Sequence, residues 1–148
     1  MNIREIDKNE VNKLRSCLIQ LSEHHNQIST HFNGFYPSKP YEDTLNAFYT
    51  SLQSGQSYIA VIENDEKVVG FCKVDIVQGK GKLDYLVVLR EYRKKGYGQM
   101  LMDWAMDAFS KNNISHIEVK VVDGNDAIHL YEKYGFKMNA HLLWYCEG

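Results

Sequence analysis

The sequence predicts one mixed α/β domain over residues 1–148, in the order βααβββαβαβ, with a central, largely antiparallel sheet flanked by helices. Three observations carry this. Three β-rich runs follow one another between residues 58 and 89 with only turn signals between them, the pattern of an antiparallel meander. The apolar period then changes to helical spacing, and a strand and a further helix follow, so helices must cover the sheet. No repeat, low-complexity tract or long linker divides the chain, whose length suits one domain with its own core.

Taken in order, Asn2–Ile6 reads as a short strand. Val11, Leu14, Leu18 and Leu21 recur at helical spacing from Lys8 to about His24. Asn33-Gly34 and two prolines make residues 25–40 a loop. Tyr41, Leu45, Phe48, Tyr49 and Leu52 share one face of a second helix, stopped by Ser54-Gly55. The meander strands are Tyr58–Ile62, Lys67–Val77 and Lys82–Leu89, with turns at Asn64-Asp65 and Gly79-Lys80-Gly81. Tyr97, Met100, Leu101, Trp104, Ala105 and Ala108 then form an amphipathic stripe. Ile114–Val122 is a strand, and Ala127, Leu130, Tyr131 and Tyr134 mark a fourth helix with Gly135 as its C-cap. Phe136–Cys146 gives one or two closing strands.

Composition narrows the function. A formal net charge of −2 supplies no general attraction for nucleic acid or a membrane surface, so neither is expected as a partner. No stretch reaches the roughly 20 apolar residues a membrane span needs. The first ten residues alternate charge with isoleucine and lack the apolar region of a signal peptide. Cys17, Cys72 and Cys146 are odd in number and without metal-ligand spacing, which fits inert thiols in a reducing compartment, so a cytoplasmic location is expected. No metal is expected; adjacent His24 and His25 diverge on a helix, and with His31 they suit a pocket lining or plain surface better than zinc.

The most informative segment joins the third meander strand to the third helix: Arg93-Lys94-Lys95-Gly96-Tyr97-Gly98. A glycine-containing turn opening a helix presents first-turn N–H groups without intrahelical partners, and the helix dipole adds positive charge there. Phosphate oxygens suit such a site, and three basic residues lie beside it. The bland alternative is a plain helix start with a solvated basic patch. The spacing is neither a Walker A loop nor a Rossmann fingerprint.

The run from Val88 to Gly98, VLREYRKKGYG, resembles the acetyl-coenzyme A loop of the GNAT superfamily of N-acetyltransferases. Arg93, Gly96 and Gly98 fill its Gln/Arg-x-x-Gly-x-Gly/Ala positions, and Arg90 stands where proline is common. Downstream, the run from Ala127 to Phe136, AIHLYEKYGF, resembles the family's A-I-x-L-Y-E-K-x-G-F stretch. The resemblance is close over residues 83–136 and covers the rest in outline. Many relatives carry asparagine three residues before the position of Ala127; here Gly124 holds it and Asn125 follows.

The resemblance implies a GNAT-like acyl-CoA N-acyltransferase fold, acetyl-CoA as co-substrate, and direct transfer to a primary amine of a small molecule or peptide. It also implies a homodimer. The cofactor-binding residues would be Leu86, Val87 and Val88, pairing with the pantetheine arm, then Arg93, Lys94, Lys95, Gly96, Tyr97, Gly98 and Gln99, and Asn125. Tyr131 would be the acid that protonates the departing thiolate, which a phenol with a pKa near 10 can do; its helical stripe alone would place it in the core. Asp84, four residues before Val88 and on the same strand face by alternation, would be the base, or would attract the ammonium. The other class of function consistent with these residues is a non-catalytic acyl-CoA-binding module. Acyl groups longer than acetyl also remain open.

Overall fold

The computed structural model describes residues 2–147. Five strands, β1 (Asn2–Glu5), β2 (Ser57–Asn64), β3 (Lys67–Val77), β4 (Lys80–Val88) and β5 (Ile117–Val119), form one sheet in sequential order. The first four pair antiparallel, and β5 runs parallel to β4. The meander turns are two-residue hairpins: Asp65 and Glu66, then Gln78 and Gly79, all have positive φ, the type I′ geometry that matches strand twist. The second turn therefore ends before Gly81, which lies inside β4. There the Phe109 ring occupies the space a Cβ would fill, 2.7 Å from its ideal position.

The helices α1 (Arg15–Ile28), α2 (Tyr41–Gln53), α3 (Tyr97–Lys111) and α4 (Ile128–Lys133) flank the sheet. A 3₁₀ segment, Lys8–Leu14, precedes α1; Asp7 and Glu10 cap it reciprocally, and α1 then runs past the expected end at His24. Phe48 of α2 packs edge-on against Phe71 and Tyr85, while Leu101, Met102, Ala105 and Phe109 of α3 are buried on the opposite face. Among the described residues no helix is long and apolar enough to cross a membrane.

Two expected elements change. The strand predicted over Ile114–Val122 pairs only through Ile117–Val119, because β4 and β5 part beyond Leu83↔Val119. The closing strands predicted over Phe136–Cys146 are not formed: residues 137–147 carry no regular structure. Instead Trp144 packs against Phe32 and Phe35, with ring centroids 5.2 and 6.1 Å away, so the tail is fastened to the loop after α1 and not to the sheet.

Candidate active site

The parting of two parallel strands leaves one edge of β4 without a strand partner among the described residues. Which groups it presents follows from hydrogen bonding. Leu89 N–H bonds to Val69 O at 2.9 Å, so Val87 and Tyr85 turn their N–H and C=O groups to β3, and Leu86 and Val88 turn theirs outward. Earlier in the strand the phase is opposite, since Gly81 N–H reaches His116 O on the β5 side at 2.9 Å. The phase changes at a bulge. Lys73 faces Tyr85 while Val74 faces Leu83, which leaves Asp84 as the extra residue. Of the three predicted strand residues, Leu86 and Val88 thus offer backbone groups to the cleft. Val87 does not, and its side chain is buried.

The bulge also overturns the expected alignment of Asp84 with Val88. Val88 lies on the α3 face, where its Cγ2 and Leu101 crowd Gly70. Asp84 turns to the other face and accepts from Lys73 Nζ at 2.8 Å, with Lys82 Nζ at 3.5 Å. Lys73 is 4 % exposed, also donates to Asp75 at 2.7 Å, and sits over the Phe48 ring. Strand alternation could not show this, because a bulge inserts a residue and reverses parity. The signal for Lys73 was present in the sequence as a lone lysine within an apolar run.

Above the open edge lies the loop. Arg93 donates from Nε to Val88 O at 3.0 Å; burial, then the charge of Arg90, push its pKa down. Lys94 and Gly96 adopt positive φ, and Gly96 is the N-cap of α3. Met100 N–H makes the first helical bond, to Gly96 O at 3.1 Å, so the amides of Tyr97, Gly98 and Gln99 lie ahead of it, unclaimed by the helix. Lys95 Nζ rests over the Tyr92 ring at 5.7 Å, and Lys94 is exposed. A Cβ on Gly98 would stand 3.4 Å from Leu130 Cδ2, an ordinary van der Waals contact, so the packing of α4 on α3 does not itself require glycine here.

Helix α4 is short but firmly placed. Gly135 N–H bonds to Glu132 O and Phe136 N–H to Tyr131 O, at 3.0 and 3.2 Å, a Schellman motif with the apolar contact between Phe136 and Tyr131 that accompanies it. Tyr134 Oη donates to Asp103 at 2.7 Å and ties α4 to α3. Tyr131 is 6 % exposed beside Cys72, and burial, then Cys72, push its pKa up. Among the described residues its hydroxyl has no hydrogen-bond partner, yet no fully sealed polar side-chain atom lacks one, so the oxygen itself retains some exposure. Asn125 Oδ1 accepts from Ala127 N–H at 3.0 Å. At Gly124, where φ is positive, the Ile28 carbonyl occupies the space a Cβ would need, so no asparagine fits there without a backbone shift. Two shallow surface hollows, about 320 and 420 Å³, border Glu5 at the far side and do not touch this site.

A sheet opened between parallel strands, with free amides at the start of the helix that joins them, defines the class: the N-acetyltransferase fold. The chain belongs to the acetyltransferase (GNAT) family, whose model matches residues 21–136. It is similar to a candidate ribosomal protein bS18-alanine N-acetyltransferase of Bacillus subtilis, 26% identical over 96 residues, covering 64% of each chain. It is likewise similar to streptothricin acetyltransferase A of the same organism, 26% identical over 110 residues, 70% of this chain and 62% of the relative. The chain thus matches just under two thirds of the length of these relatives. Among solved structures, the PaiA N-acetyltransferase of Thermoplasma acidophilum in complex with coenzyme A shares the fold, with a TM-score of 0.72 at 20% identity over 93% of this chain and 90% of that one.

Proposed function

We propose that the protein is an acetyl-CoA-dependent N-acetyltransferase, which passes the acetyl group directly to a primary amine of a small molecule or peptide. One observation carries the reading: the outward N–H and C=O of Leu86 and the outward N–H of Val88 lie on the open edge, and its last carbonyl, Val88 O, accepts from Arg93 of the loop that leads to the free amides of Tyr97–Gln99. An extended amide-bearing arm can add to that edge as a strand does, while its diphosphate takes the amides, Arg93 and the lysines. An outward N–H on the same edge meets the negative charge that develops on the thioester oxygen; one such donor is worth about 2.7–4 kcal/mol. Tyr131, kept protonated by burial, supplies the proton for the leaving sulfur.

Asp84 is the proposed acceptor of the amine's proton, directly or through one water. Its pairing with Lys73 favours a second role, holding a buried cation at the bulge. Asp84→Asn separates them. A base role lowers kcat and changes the pH–rate profile with stability nearly kept; a structural role costs ~1–3 kcal/mol of stability and leaves the profile unchanged. The acceptor pocket is assigned to the α1–α2 side, where Phe32, Phe35 and Trp144 gather. A homodimer is also proposed, through the exposed Leu142, Leu143 and Tyr145 of the tail; light scattering of the chain with and without residues 141–148 tests it. Incubation with acetyl-CoA and a panel of amines, read by mass spectrometry, tests the activity. Acetylated product from no amine, with donor binding intact, would favour a non-catalytic acyl-CoA-binding module.

A further inference from the structure

Helix α1 spans the mouth of the cleft. Gln20, His24 and Ile28 fall four residues apart on one of its faces. Gln20 Oε1 accepts the N–H of Arg90 at 2.7 Å, which fastens the helix to the loop before α3. The Ile28 carbonyl abuts Gly124, which fastens it to the loop before α4. Between these attachments stands His24. Arg90 and Arg93, on the loop that Gln20 fastens, and Asn125 and Asp126, next to Gly124, are the charged and polar groups near enough to act on its imidazole.

We propose that His24 is a further donor-binding residue: it takes a proton from solvent as the donor's phosphates settle beside Arg93, and then donates to them. The inference rests on the reading of the Arg93–Gln99 loop as the phosphate site. In the free protein burial, then Arg93, hold the imidazole below its ordinary value, against the opposing pull of Asp126 and Asn125. His25, its neighbour on α1, is pushed down to about 4 by burial and then by His24, and so stays neutral. Diphosphate charge arriving at Arg93 cancels the field that disfavours a second cation there. The imidazole then gains its proton, and a charge-assisted hydrogen bond joins α1 to the ligand. Donor binding would in this way be coupled to pH through a residue outside both sequence motifs.

The test is calorimetric titration with dephospho-coenzyme A, which lacks the titrating 3′-phosphate, in buffers of different ionisation enthalpy near neutral pH. Proton uptake by the parent protein, absent from His24→Gln, is expected. The variant should bind about tenfold more weakly near pH 6 and within about twofold of the parent near pH 8. Equal proton uptake by both proteins would overturn the role of His24 while leaving the phosphate site standing. No binding by folded parent protein would sink the phosphate site, and the inference with it. Should His24→Gln fail to fold, the NMR titration of the His24 ring in the parent decides: its midpoint must rise when the ligand is added, and an unmoved midpoint refutes the proposal.

Discussion

Replacing Gly96 by alanine isolates the backbone strain in the phosphate loop. Gly96 sits at φ 86° and ψ 4°, and nothing lies within 4 Å of where a Cβ would stand. The substitution therefore meets no neighbour and carries only the left-handed penalty, ~1–2 kcal/mol. That free energy must surface in one of two measurements. If the loop keeps its shape, the folded state bears the strain, and Tm falls by roughly 2–8 °C in a domain of this size with donor affinity unchanged. If the free loop relaxes instead, Tm holds and the donor must restore the loop on binding, which weakens Kd by about 5–30-fold. Gly98→Ala is the contrast, since Gly98 has no positive φ and its Cβ would make only a 3.4 Å contact with Leu130. Its Tm should barely move, and any loss of affinity reports crowding of the ligand itself. Thermal unfolding and donor calorimetry on both variants suffice. A Gly96→Ala protein whose Tm and Kd shifts together amount to less than about 0.5 kcal/mol would refute the reasoning.

Three further outcomes are expected. Tyr131→Phe should lower kcat by about 10²–10⁴-fold with donor affinity nearly kept; unaltered turnover would remove the acid role. Gly81→Ala should destabilise the fold by ~1–3 kcal/mol, because its Cβ would lie 2.7 Å from a Phe109 ring atom; thermal unfolding reads the loss. Alkaline pH should destabilise the protein: burial pushes Tyr85 up to about 12 and Tyr131 above its ordinary value. Unfolded tyrosines release their protons near pH 10, so above that pH the unfolded state binds fewer protons and stability falls as pH rises, by up to about 1.4 kcal/mol per unit for each group. Urea unfolding at pH 9 and 11 measures it, and equal stabilities would contradict the burial of both phenols.

The meander, the α3 stripe and the Gly135 cap were legible in the sequence because each depends on local chemistry: turn residues, apolar spacing, a glycine free to take positive φ. The Arg93–Gly98 loop was legible for the same reason. What the sequence hid was non-local. The bulge at Asp84 exists only because β3 fixes the register on both sides of it, and it reverses which face a side chain takes. The early end of β5 and the unpaired tail depend on whether two strands stay together. The position of His24 depends on how α1 lies across two loops distant in the chain. Lys73 was the exception, the one charge inside the buried run from Val68 to Val74, which sequence could flag but not pair with Asp84 across the bulge.

The central claim is that the open edge of β4 and the amides of α3 hold acetyl-CoA. Its most direct test is calorimetric titration of the protein with acetyl-CoA, beside a Gly98→Glu variant shown to be folded by circular dichroism. Saturable, one-to-one binding that the variant loses is the predicted result, since the glutamate places a negative charge among the amides of Tyr97–Gln99. Absence of binding by the folded parent protein, or undiminished binding by the variant, would contradict the account.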